Sequence, residues 1–156
     1  MVSKRKAAEQ AFQLFSTPFL RSKRKADPKN AELLSFKLKL PNGKKDELTI
    51  HGYRWNHPQA VKVLILHGFG SAAYKFERYV SPLVKKGYEV LAFDAPAHGD
   101  SGGKTTNAVE YSEMIKQVMK NYGPIQGFIA HSYGGIALSL ALEETVHDEH
   151  TKIVLI

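Results

Sequence analysis

The sequence predicts an α/β domain of three layers, with a mostly parallel sheet that opens on an antiparallel hairpin. Residues 34–55 hold two runs of alternating polarity around a turn, LSFKLKL and LTIHGYRW. Beyond residue 60, short and almost continuous apolar runs alternate with segments of helical periodicity. A period of two marks a half-buried strand, and a short apolar run between helices marks a strand covered on both faces. Strands alternating with helices after a hairpin pack as a parallel sheet with helices on either side.

Each element has its own warrant. LSFKLKL (34–40), the turn PNGKKDE (41–47) and LTIHGYRW (48–55) form the hairpin at a sheet edge. VKVLIL (61–66) is the first doubly covered strand. In YKFERYVSPLVKKG (74–87), Phe76, Val80, Leu83 and Val84 share one helical face, Gly87 stops the helix, and Pro82 should kink or restart it. YEVLAFD (88–94) is the next strand. Asn107, with Glu110 three residues on, resembles a capping box. It opens a helix whose stripe is Ala108, Tyr111, Ile115, Val118 and Tyr122, ending before Gly123 and Pro124. IQGFIAH (125–131), the helix GGIALSLALEE (134–144) and the strand TKIVLI (151–156) complete the pattern. An apolar parallel strand at the end of a chain would leave an open edge. Residues 31–156 therefore read as the N-terminal portion of a larger domain, cut after its sixth strand.

Of the net charge of +7, most lies in a leader over residues 1–30. There Lys4, Arg5, Lys6, Arg21, Lys23, Arg24, Lys25 and Lys29 face only Glu9 and Asp27. The remaining residues are near neutral, so the domain itself is not expected to bind nucleic acid. AAEQAFQLF sets Ala8, Ala11, Phe12 and Phe15 at helical spacing. The favoured reading packs this Phe face on the domain; a weak peripheral membrane contact or a nucleic-acid contact is the alternative. No run reaches the roughly 18 apolar residues of a membrane span, and no secretory h-region follows the basic start. With no cysteine, disulfide and thiolate chemistry are excluded, and a cytoplasmic protein is expected.

HGDSGGKT (98–105) invites a phosphate-loop reading, which spacing rejects. G-x-x-x-x-G-K-[ST] requires its first glycine at His98, but it stands at Gly99. His147 and His150, in HDEH, lack H-E-x-x-H spacing, so a solvated loop is preferred to a metal site. No metal or organic cofactor is implied.

The chemistry-bearing stretch is GFIAHSYGGIA (127–137). Ser132 lies where a buried strand meets a helix, with small residues, Ala130 and Gly134, two positions away on each side. That is the G-x-S-x-G elbow with alanine in the first glycine position. The following helix offers the N–H of Tyr133 and its positive end. HGFGS (67–71), directly after VLIL, offers a second donor, the N–H of Phe69, with Gly68 and Gly70 allowing close approach of the backbone. Both motifs fall at the carboxyl edge of the sheet, where open α/β sheets bind ligands.

With FDAPAHGDS (93–101) between them, these motifs resemble the α/β-hydrolase superfamily over roughly residues 34–156. The middle one is similar to the family's D-x-P-G-H-G-x-S turn, with Ala97 for glycine. The resemblance implies a serine hydrolase that acts on an ester, thioester or amide of a small-molecule acyl substrate. Ser132 would be the nucleophile, and Phe69 and Tyr133 N–H groups the oxyanion hole. His67, Asp94, His98 and Gly99 would be structural turn residues, as Asp100 would be, and His131 would point away from the serine hydroxyl. The family's acid and histidine base would lie beyond Ile156, so the chain alone is expected to be inactive. Acyl transfer to another acceptor, and a non-catalytic fragment or binding module of the same fold, are the alternatives. Substrate and oligomeric state are not legible.

Overall fold

The computed structural model describes residues 3–19, 21, 26–40 and 47–156. The turn expected over PNGKKDE lies outside these residues except for Glu47, as do the leader positions Lys23, Arg24 and Lys25.

Six strands form one sheet: β1 (Glu32–Leu38), β2 (Leu48–Trp55), β3 (Lys62–Leu66), β4 (Glu89–Phe93), β5 (Gly127–Ala130) and β6 (Lys152–Leu155). Their spatial order is β1-β2-β4-β3-β5-β6. β1 pairs antiparallel with β2, and β2 antiparallel with β4. All pairs from β4 through β3 and β5 to β6 are parallel. The fold class read from the sequence is thus the observed one. β1 begins two residues earlier than the alternation suggested, because Glu32 and Leu33 continue the ladder opposite Arg54 and Tyr53. Arg54 also forms a two-pronged pair with Glu32 there, at 2.8 and 2.9 Å.

The strands bury alternate residues on opposite faces, and two apolar clusters result. On one face Leu64, Leu66, Leu91, Phe93 and Phe128 pack beneath α3 (Ala108–Tyr122) and α4 (Tyr133–Glu143), against Tyr111, Met114, Ile115 and Leu138. On the other face Ile65, Val90 and Ala92 pack against Tyr53, Trp55, Phe76 and Val80 of the side that carries α2 (Glu77–Lys85). Near-continuous apolar runs in β3 and β4 are what this double coverage requires.

Two helix starts bear on the sequence pattern. Asn107 Oδ1 accepts the N–H of Glu110 at 2.9 Å, so the expected cap of α3 forms. The break expected at Pro82 falls earlier: a 3₁₀ turn, Ala73–Phe76, precedes α2, which runs through Pro82 as its sixth residue. Proline there removes one intrahelical bond without ending the helix.

In the leader, α1 (Lys4–Ser16) is helical, but its Phe face does not pack on the domain. Phe12 and Phe15 remain exposed, and Ser16 is the buried residue of the helix. The leader is held instead by polar contacts after the helix. Thr106 N–H donates to Ser16 O at 2.8 Å, and the Arg21 guanidinium donates to the carbonyls of Ala97, Ser101 and Gly103. At the opposite edge, Ile153, Val154 and Leu155 of β6 are exposed.

Candidate active site

β5 ends at Ala130 and α4 starts at Tyr133, and the turn between them has one strained residue. Ser132 adopts φ +49° and ψ −114°. A residue with a side chain rarely occupies this region, at a cost of order 1–3 kcal/mol. The surroundings hold it there. Ser132 N–H donates to Ile156 O at 3.0 Å, Gly134 N–H to His131 O at 2.9 Å, and His131 N–H to Leu66 O at 2.9 Å. Small neighbours are a geometric need. A Cβ on Gly134 would stand 2.8 Å from His67 O and 2.9 Å from Leu66 O, and Ala130 is fully buried. Ser132 itself is exposed, and among the described residues its hydroxyl makes no hydrogen bond.

The loops after β3 and β4 are tied together by three buried side chains. His67 Nε2 accepts the N–H of Ala95 at 2.9 Å, which leaves Nδ1 to donate to Gly68 O at 2.8 Å. His98 repeats the arrangement: Nε2 accepts the N–H of Gly70 at 3.0 Å and Nδ1 faces Pro96 O at 3.0 Å. Both rings are therefore neutral Nδ1–H tautomers. Burial lowers each to about 4, since a charged imidazole would lose its water; for His98 the neighbouring His67 adds to the effect. Asp94 joins the same loops with its carboxylate. Oδ1 accepts the N–H of Ala73 at 2.8 Å and Oδ2 that of Asp100 at 3.0 Å. Burial raises its pKa, and the two N–H donors oppose that rise. A Cβ on Gly99, whose φ is +46°, would collide with this carboxylate.

Phe69 and Tyr133, read from separate motifs, meet in space. Their ring centroids are 5.4 Å apart at 90°. Tyr133 is the first residue of α4, so its N–H has no acceptor within the helix. Among the described residues neither N–H donates to another protein group. The Tyr133 phenol is pushed up to about 12, first by burial and then by the charge of Glu110, while Thr106 hydrogen-bonds it. Tyr111 donates to His67 O at 3.2 Å and fixes the start of the HGFGS loop from below.

His131 is exposed and turns toward Phe76, at 5.8 Å between ring centroids. A Cβ on Gly68 would lie 2.6 Å from its Nδ1, so Gly68 makes room for this ring. His147 and His150 are exposed, and no group of three metal-ligating side chains occurs among the described residues. Sequence reasoning missed Ser101, Thr106 and Arg21. Ser101 Oγ donates to Asp94 O at 2.7 Å and accepts the N–H of His51 at 3.0 Å. Its place as the last residue of FDAPAHGDS was the available signal. Arg21 had none, because its partners are more than seventy residues away.

A serine on a strained strand-to-helix turn, facing a glycine-rich loop across the carboxyl edge of a mixed sheet, defines an α/β protein of hydrolase architecture. The comparisons with known proteins agree. Residues 63–156 match the alpha/beta hydrolase family, and the chain belongs to it. An uncharacterized hydrolase of Bacillus subtilis (strain 168), YugF, is 30% identical over 116 residues, which are 71% of this chain and 41% of that protein. The Pyrococcus furiosus esterase Pf2001 is similar at 29% identity and a TM-score of 0.60, covering 80% of this chain and 52% of the esterase. Epoxide hydrolase VrEH1 from Vigna radiata shares the fold at 19% identity, with a TM-score of 0.64 over 84% of this chain and 39% of its own. The chain thus spans about half the length of the relatives it matches.

Proposed function

We propose that this chain carries the nucleophile and the oxyanion hole of a serine hydrolase acting on a carboxylic ester, thioester or amide. The observation that carries the proposal is Ser132: a side-chain-bearing residue held at φ +49° at the end of a buried strand, with its hydroxyl exposed. Such strain persists where position matters more than stability. An alcohol at this point, beside the N–H groups of Phe69 and Tyr133, suits acyl transfer. Likeness to an esterase at 29% identity supports the same reading.

In the proposed reaction Ser132 Oγ attacks the carbonyl carbon and its proton passes to a general base. The carbonyl oxygen becomes the oxyanion and is received by the N–H groups of Phe69 and Tyr133. The leaving group departs with a proton, and an acyl ester remains on Ser132. Water, deprotonated by the same base, attacks that ester, releases the carboxylic acid and restores the serine. His67 and His98 are unsuited as the base: each has its Nε2 lone pair engaged by a backbone N–H and titrates near 4. We assign the base and its acid partner to sequence following Ile156, in keeping with relatives of which this chain covers 41% and 52%. Residues 31–156 are then the nucleophile-bearing part of the domain, and residues 1–30 a leader. No helix among the described residues is long and apolar enough to cross a membrane.

The test is labelling of the intact protein with a fluorophosphonate, followed by peptide mapping. One adduct on Ser132, absent in Ser132→Ala, is expected. An intact protein that folds but takes no label at Ser132 would overturn the reading in favour of a binding role.

A further inference from the structure

We infer that α1 and the residues after it form a docking surface for an anionic lipid membrane. On a helical projection, Leu14, Ala7, Ala11, Phe15, Ala8 and Phe12 of α1 fall within one arc, where Lys4 of the first turn is the one charged residue, and Arg5, Lys6, Glu9, Gln10 and Gln13 fall outside it. That arc is bare: Phe12 is 60% exposed, Phe15 82%, and Phe19, just beyond the helix, 69%. Along the sequence, Lys4, Arg5 and Lys6 stand at the start of this helix, and Lys23, Arg24, Lys25 and Lys29 follow it, against Glu9 and Asp27. Apolar side chains between clusters of positive charge match the interface of a bilayer, where the rings enter the acyl boundary and the cations meet lipid phosphates. A nucleic acid would use the cations but leave the Phe and Leu side chains in water. At 13 residues the helix is too short to span a bilayer, so it lies in the plane.

The attachment of the leader to the domain is what makes this surface consequential. Ser16 and Pro18 are buried, Ser16 O accepts from Thr106, and Arg21 donates to Ala97 and Gly103, each at 3.2 Å. These partners belong to the loop after β4, which stands at the same carboxyl edge of the sheet as Ser132. Membrane docking therefore sets that edge toward the lipid and favours substrates whose acyl chains reside there. This last consequence rests on the hydrolase reading; the docking does not.

The experiment is co-sedimentation of the intact protein with phosphatidylglycerol vesicles and with phosphatidylcholine vesicles. Binding to the former is expected, with affinity falling at least about tenfold in the latter, in high salt, and in the Phe12→Ala/Phe15→Ala double variant. Both side chains are exposed, so the variant should keep its denaturation midpoint and its fluorophosphonate labelling at Ser132. Absence of vesicle binding, or binding unchanged in the double variant, would overturn the inference. So would retention on RNA that competes off the vesicles. Vesicle binding without Ser132 labelling would leave the docking standing and remove the hydrolase reading; labelling without vesicle binding would do the reverse.

Discussion

Two adjacent glycines of α4 should respond oppositely to the same substitution. In Gly134→Ala the new methyl would stand 2.8 Å from His67 O, 2.9 Å from Leu66 O and 3.0 Å from Leu66 C. All three are backbone atoms of β3 and its loop, so relief requires α4 to move away by roughly half an ångström, about the shortfall from ordinary contact distance. Overpacking of this kind costs about 1–3 kcal/mol. In Gly135→Ala the nearest atom is Leu155 Cδ2 at 3.3 Å, the end of an exposed and flexible side chain. That methyl can be accommodated, and replacing glycine within a helix gains up to about 1 kcal/mol. The helix gain is common to both variants, so they should differ by the overpacking cost, roughly 1–3 kcal/mol, or roughly 2–12 °C in melting temperature for a chain of about this size. Thermal and urea unfolding of the intact protein measure the difference. Because α4 carries the Tyr133 N–H, its displacement should also slow fluorophosphonate labelling of Ser132 in Gly134→Ala but not in Gly135→Ala. Equal midpoints in the two variants would refute the claim that Gly134 is required by contact with β3.

Two further outcomes are expected. Ser132→Gly removes the side chain from a φ that disfavours it, so the protein should gain roughly 1 kcal/mol in urea unfolding while losing the fluorophosphonate label; a loss of stability would argue against strain at the elbow. His67 and His98 titrate near 4 when folded and near 6.5 when unfolded, so the unfolded chain binds more protons between these values. Stability should fall as pH drops from about 6.5 to about 4, a loss opposed by Asp94, whose raised pKa lets the folded state take up a proton. His98→Gln should flatten that slope in pH-dependent urea titrations. An unchanged slope would mean that His98 is not held neutral by burial.

Much of this architecture was legible because its causes are local. The continuous apolar runs of β3, β4 and β5 follow from coverage on both faces, and the small residues around Ser132 follow from a turn that admits no bulk. Asn107 announced the start of α3 because its cap bond reaches only three residues. What was not legible depends on distant contacts. The leader's Phe spacing suggested a buried face, yet its attachment is made by Ser16, Pro18 and Arg21 to a loop that only the folded sheet brings near. Similarly, the 3₁₀ turn before α2 starts at Ala73, whose N–H donates to Asp94 from across the two loops; Pro82, the conspicuous residue, lies inside α2.

The histidines show why residue type alone misleads about chemistry. His67 and His98 lie beside the candidate oxyanion loop and would each be a natural choice for a base. A base is most effective when it titrates near the working pH with a free lone pair aimed at the proton it takes. Each ring here instead accepts a backbone N–H that would otherwise be buried without a partner, a loss of about 1–3 kcal/mol. Protonation would remove that acceptor and bury a charge, so the role itself requires a neutral ring. An amide side chain could accept the same bond, but it would not fill the same space. The His98 ring packs edge-on against His67 at 5.1 Å and Phe69 at 5.2 Å, and His67 lies 5.9 Å from Tyr111. The two histidines thus shape the loop that presents the Phe69 N–H, and by doing so they are withdrawn from proton transfer. If the site is an acyl-transfer centre, its base has to be a group other than these two rings, with an unengaged lone pair. A free lone pair brought within hydrogen-bond reach of Ser132 Oγ in the intact protein is what such a reaction still requires.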